Sequence, residues 1–227
     1  MFYLDPQYLL MVVLPSLVLV GGAQLFVKST FRRYSQVRIS SGHSGAQVAR
    51  RLLDRAGLSD VAIEEIPGEL SDHYDPRSRV LRLSSPVARG DSVAAAGVAA
   101  HEAGHAMQHA TRYAPLAFRN GLVPVANFGS GLGPVMIILG FFTRFSGLIT
   151  LGIVLFAGAV LFQLITLPVE LNASRRAVVV LAESGEVSRT EEGPVRTVLT
   201  AAALTYLAAA LAAILQLLYF IGLGRRD

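Results

Sequence analysis

His101-Glu102-Ala103-Gly104-His105 sets two imidazoles four residues apart, with a carboxylate beside the first. On a helix, residues at i and i+4 share a face with about 5–6 Å between their Cβ atoms, so both rings can aim a nitrogen at one cation. Zn²⁺ takes histidine nitrogen at roughly 2.0–2.1 Å. Glu102 projects about a quarter-turn round the helix, where it can act as general base on a water that the metal has acidified toward pKa ~7. The same pattern has two free positions and also arises by chance on ordinary helices. The chain has no cysteine, which excludes disulfides, thiol nucleophiles and cysteine-ligated metals together. Any metal centre must use His, Asp and Glu.

A catalytic zinc typically keeps three protein ligands and one open position. His109 continues the ladder of histidines, but three ligands along one straight helix span about 12 Å at a rise of 1.5 Å per residue and do not converge. A metzincin would place its third histidine six residues after His105 and a glycine three after it; Thr111 and Gln108 stand there. Glu170 is the better candidate, because it is the first carboxylate after two apolar runs and so emerges on the side of His101. The competing reading of Glu170 is a solvated acid at the end of a span. His73 also has two readings: a donor to a tetrahedral oxyanion, or a turn residue capping its own backbone. Gln108 and His109 read as supporting or packing groups, and His43 as a loop histidine. Changing Glu183 or Glu186 is expected to do little to zinc binding or activity.

The elements that position these groups are set by composition. Of the 227 residues 52% are hydrophobic and only 16% charged, too apolar for an ordinary soluble domain. Four runs lack any charged residue and reach the roughly 20 residues a bilayer crossing needs: Pro6 to Val27, Asn120 to Thr143, Gly147 to Val169 and Val198 to Gly224. The first, preceded only by Asp5, reads as a retained span rather than a cleaved leader. The net charge of +4 implies no nucleic-acid partner, since arginines flanking apolar spans anchor and orient a membrane protein. Arg144, Phe145 and Ser146 alone separate the second and third runs, which makes those spans an antiparallel hairpin. Gly129 and Gly133 in the second run read as helix packing, and Asn127 as a polar group facing protein.

All five histidines lie in the polar segment 28–119, the expected catalytic domain. Val48, Ala49, Leu52, Leu53 and Ala56 recur at helical spacing until Gly57. Val61 to Ile63 and Arg79 to Leu83 have the pattern of strands, separated by Pro67-Gly68 and Asp75-Pro76 turns. The Ala-rich stretch to about His109 predicts a helix capped by Asp91 or Ser92. Segment 170–197 is expected to begin as a continuation of the third span. Lys28, Arg32, Arg33 and Arg38 after the first span place segments 28–119 and 170–197 in the cytoplasm and both termini outside; Arg225 and Arg226 run against that rule.

Three stretches then carry a resemblance: Gly68 to Ser84 (GELSDHYDPRSRVLRLS), Ala100 to Ala110 (AHEAGHAMQHA) and Leu167 to Ala177 (LPVELNASRRA). Together they resemble the YugP-like family of membrane-bound zinc metallopeptidases, related to the HtpX and CAAX-prenyl proteases, over about Val37 to Ala177. The resemblance implies that Glu170, opening a Glu-x-x-Ala-Asp type segment, is the third zinc ligand; this chain has Ser174 where those relatives have Asp.

The expectation is an α-helical integral membrane protein with four transmembrane helices and a small zincin-like α+β catalytic domain, sited in the bacterial cytoplasmic membrane with that domain in the cytoplasm. Zn²⁺ held by His101, His105 and Glu170, with Glu102 as base and His73 assisting, would make it a gluzincin-like metalloendopeptidase. Its partners would be the bilayer and a peptide or membrane-protein substrate; no oligomeric state is specified. The rival readings are a non-catalytic zinc-binding membrane scaffold, disfavoured by the intact Glu102, and an intramembrane site-2-type protease. The latter is disfavoured by the charges flanking the motif and the absence of a Leu-Asp-Gly segment in a later span.

Overall fold

The computed structural model describes residues 6–224, so Asp5, which precedes the first run, and Arg225 and Arg226, which bear on orientation, lie outside the described residues. The chain is mostly helical, with one small sheet. Four helices among the described residues are long and apolar enough to cross a membrane: α1 (Pro6–Tyr34), and three further ones at Ala114–Thr143, Ser146–Ser184 and Glu192–Gly224. Each outruns the apolar run that predicted it. Helical hydrogen bonding continues through polar residues such as Arg32 and Arg33, because lipid-like composition sets where a span lies and not where its helix stops.

The chain divides into two compact units, residues 25–116 with 169–203 and residues 1–24 with 117–168 and 204–227. The first of these begins after Gln24 with the end of α1 and then forms α2 (Gly45–Arg55). Ser44 caps α2 by accepting from the Gln47 N–H, while the Gln47 side chain accepts from the Ser44 N–H, a reciprocal capping box. Gly57, at φ +71°, ends the turn that follows. A three-stranded sheet comes next, with β1 (Ala62–Ile66), β2 (His73–Asp75) and β3 (Val80–Ser84) in the order β1-β3-β2. β3 runs parallel to β1 and antiparallel to β2, with His73 opposite Arg82 and Asp75 opposite Val80.

Two sequence expectations are corrected here. Arg79, expected within a strand, has φ +55° and belongs to the turn before β3. His73, read as an oxyanion donor or a turn residue, lies instead in an edge strand with Tyr74 and Asp75. The half-buried Asp72 carboxylate accepts from the Ser84 N–H at 2.8 Å and from its hydroxyl at 3.0 Å, which ties the start of β2 to the end of β3. A tertiary tie of that kind leaves no periodic trace in a three-residue strand.

Short α3 (Ser85–Arg89) leads into α4 (Val93–Ala110), whose N-cap is Ser92, accepting from the Ala95 N–H at 3.2 Å. The small alanines of α4 let α2 lie close: Val48, Ala49, Leu52 and Leu53 join Ala96, Ala99, Ala100 and Ala103 in one buried core with Leu81 and Leu83 of β3. The unit is completed by residues 169–203. Ala177, Leu181, Val187, Val195 and Leu199 enter the same core.

The other unit holds most of α5 (Ala114–Thr143), α6 up to Pro168 (the whole helix being Ser146–Ser184) and α7 from Leu204 (whole helix Glu192–Gly224). α5 and α6 form the expected hairpin, with Arg144 at φ +55° in the turn. Gly129 and Gly133 pack as predicted. A Cβ at Gly129 would fall on the Leu155 carbonyl oxygen, and one at Gly133 would stand 3.0 Å from that of Gly152. Ile137, Ile149, Phe156, Val160 and Phe220 form this unit's buried cluster, while Phe128, Phe142, Val154 and Leu218 remain exposed, as lipid-facing positions require.

Candidate metal centre

Helix α4 carries His101 and His105 one turn apart, their rings edge-on with centroids 4.8 Å apart. Both are largely covered. From the part of α6 in the same unit comes Glu170, whose carboxylate is 2% exposed. Its Oε2 lies 3.2 Å from His101 Nε2 and 3.4 Å from His105 Nε2. One donor atom from each of the three residues lies within 4.8 Å of the others. Two ligands about 2.1 Å from a tetrahedral zinc stand roughly 3.4 Å apart, so the spacing of this donor set fits the ion.

The close approach behind this spacing depends on Gly104, between the two histidines. A Cβ there would stand 2.8 Å from the Ala173 carbonyl oxygen, one turn after Glu170 on α6. Behind the rings, Ser174 Oγ lies 3.1 Å from His101 Nδ1, and Gln108 Oε1 lies 3.0 Å from His105 Nδ1. With the Nδ1 sides engaged, both Nε2 atoms face the carboxylate. Burial pulls the protonated form of His105 down, but the Glu170 hydrogen bond, the charges of Glu102 and Glu170, and Gln108 outweigh it and raise the group above its ordinary value. The surroundings therefore favour positive charge at this point, as a cation site needs.

Glu102 follows His101 on α4 and is buried at 8% exposure. His73 lies outside the cluster of three donors. It is exposed on β2 and its Nδ1–H donates to the Ser71 carbonyl at 2.9 Å, so only the imidazolium can offer a second N–H from Nε2. His109 is not a donor to the cluster either: its Nδ1 meets the Tyr74 hydroxyl at 2.9 Å. His43, read as a loop histidine, does lie in a loop, with Nδ1 2.8 Å from Glu186 Oε2.

Glu186 lies outside the cluster of three donors and is 2% exposed, and it accepts from Arg51 Nε at 2.6 Å besides meeting His43. Burial pushes its carboxyl up, but these two partners hold it below its ordinary value. Glu191 adds a second clasp, accepting from the Ser40 N–H at 2.7 Å and the Ser40 hydroxyl at 2.8 Å. Sequence reading also passed over Asn172 and Arg176. The signal was present in their i, i+4 spacing, the same spacing that sets Ser174 above Glu170 on one face of α6.

The family described as "Putative neutral zinc metallopeptidase" matches residues 9–225. The chain belongs to this family, and its membership implies zinc. It is 52% identical over 199 residues to the "Putative membrane protease YugP" of Bacillus subtilis (strain 168), covering 88% of each chain. No solved structure matches it.

Proposed function

We propose that this chain is a gluzincin-like zinc metalloendopeptidase of the membrane, with a zincin-like catalytic domain that hydrolyses peptide bonds in a peptide or membrane-protein substrate. The observation that carries the proposal is the convergence of both Nε2 atoms on one buried carboxylate oxygen. His101, His105 and Glu170 would hold the ion. Zinc, when bound, supplies a Lewis acid that acidifies water and polarises the scissile carbonyl. Glu102 takes one proton from the attacking water and returns it to the amide nitrogen as the C–N bond breaks, leaving a carboxylic acid and an amine. His73, in its protonated form, donates from Nε2 to the carbonyl oxygen as charge develops there. Replacing Glu102 by Gln should keep zinc at wild-type stoichiometry and slow hydrolysis by about 10²–10⁴-fold. Turnover at the wild-type rate in that variant would remove Glu102 from the mechanism.

The helix α4 is not among the four candidate membrane helices, which supports a site outside the bilayer over an intramembrane one. Residues 28–119 and 170–197 are assigned to the cytoplasm by the Lys28, Arg32 and Arg33 cluster. Single cysteines at Ser59 and Arg189 test this in a chain with no native cysteine. Both should be labelled from the cytoplasmic side; labelling from opposite sides would break the topology and the ligand set together.

A further inference from the structure

We propose that Arg176, Asn172 and Gln108 form a one-way hydrogen-bond relay that holds the proton of His105 on Nδ1, so that its Nε2 presents a lone pair toward Glu170. The inference rests on the metal-centre reading above and adds the residues that orient one ligand.

The direction of the relay follows from groups whose roles cannot be exchanged. A guanidinium only donates, and Arg176 Nε lies 2.9 Å from Asn172, so the Asn172 atom facing it is Oδ1. That same oxygen lies 2.9 Å from the Gln108 side chain, which must therefore present its amide nitrogen. The Val169 carbonyl, which can only accept, is also 2.9 Å from that nitrogen and demands the same orientation. Both amide hydrogens of Gln108 are then committed, and the atom left for His105 is Oε1, an acceptor, at 3.0 Å from Nδ1. A neutral imidazole carries one proton. With it fixed on Nδ1, the neutral ring leaves Nε2 bare on the side where Glu170 Oε2 lies, as a ligand sharing a cation with that carboxylate requires; with no cation, a proton on Nε2 takes that place.

Burial makes the orientation durable. Gln108 is fully buried, so a flipped amide would set oxygen against two oxygens with no water to relieve it. Arg176 is braced by the Tyr113 ring, 6.0 Å from its guanidinium carbon. His101 lacks such a lock, since its Nδ1 meets the Ser174 hydroxyl, which can give or take a hydrogen bond. Arg176, Asn172 and Gln108 are thus positioning residues for His105 alone.

The test uses the full chain in detergent, with zinc affinity read by chelator competition and the His105 tautomer read by ¹⁵N-histidine NMR. Zinc-loaded wild type should show the proton on Nδ1 alone. Gln108→Leu should weaken zinc binding by about 10–100-fold and abolish the single protonated Nδ1 state. Asn172→Asp keeps the acceptor and should bind zinc within about threefold of wild type, whereas Asn172→Leu should lose about tenfold. In the Gln108→Leu background, Asn172→Leu should add no further loss, because the two act through one path. If Gln108→Leu fails to fold, the Asn172 pair carries the test alone. Equal affinities for Asn172→Asp and Asn172→Leu, additive losses, or a bare Nδ1 in wild type would overturn the relay. A chain that shows protonated Nδ1 but binds no zinc would overturn the metal-centre reading and leave the relay standing.

Discussion

Two helix contacts in this molecule use the same device to different ends. In the α5–α6 hairpin, Gly129, Gly133 and Gly152 remove side chains so that backbones touch; a Cβ at Gly152 would lie 2.6 Å from the Gly133 carbonyl oxygen. In the other unit, Gly104 does the same against Ala173, whose carbonyl oxygen would lie 2.8 Å from a Cβ added there. The groups around the hairpin glycines are Leu155, Phe156 and Ile137, which have no chemistry. Around Gly104 stand His101 and His105 on one helix and Glu170 and Ser174 on the other. A lost glycine in the first contact costs packing. In the second it moves a carboxylate relative to two imidazoles.

The largest effect should come from removing what the Gly104 contact delivers. Glu170→Ala is expected to abolish zinc binding and peptide hydrolysis together, as measured by metal content and a casein assay. Glu170→Asp should keep some metal with poor activity, because its arm is one methylene shorter. Zinc retained in full by Glu170→Ala would strip the second contact of its chemical role.

Next come the glycines themselves. Gly104→Ala should cost about 1–3 kcal/mol of stability through overpacking against backbone and weaken zinc binding by about tenfold or more, although no ligand is touched. Gly129→Ala should cost stability in the same range and leave zinc affinity unchanged. Equal loss of zinc affinity in both variants would erase the distinction between the contacts.

The smallest effect tests the outlying clasp at Glu186. Because His43 and Arg51 hold its carboxyl below the ordinary value, it stabilises the folded state above its unfolded value of about 4.3. That contribution disappears as pH falls through the lower folded value. Glu186→Gln should cost about 1 kcal/mol at neutral pH and flatten the loss of thermal stability on acidification below about pH 4.3, without changing zinc affinity. An unchanged acid profile would mean that Glu186 is not held by charge.

Local features were legible in the sequence wherever one element specified them. The four apolar runs, the Ser92 cap, the Gly57 stop and the i, i+4 histidines all rest on spacing within a single helix. Glu170 was legible through topology, since parity of crossings restricts which acid can return to His101. β2 was not, because a three-residue strand is held by Asp72 bonding to Ser84 rather than by pattern. Glu186 shows the same limit: it looks like a surface polar residue until His43, 143 positions away, meets it.

The division of one unit between residues 25–116 and 169–203 has a consequence for synthesis. The histidine helix is made first, and Glu170 follows 65 residues after His105. At about 5–20 residues per second, a ribosome needs roughly 3–13 s to cover that interval. Throughout it, the nascent chain holds both imidazoles and Glu102 without the carboxylate proposed to complete the centre. The clasps from Glu186 and Glu191 come later still. On the proposed reading, a truncated product ending anywhere before Glu170 would lack the third ligand, and the order of the chain itself would delay zinc capture until the second and third apolar helices have been made.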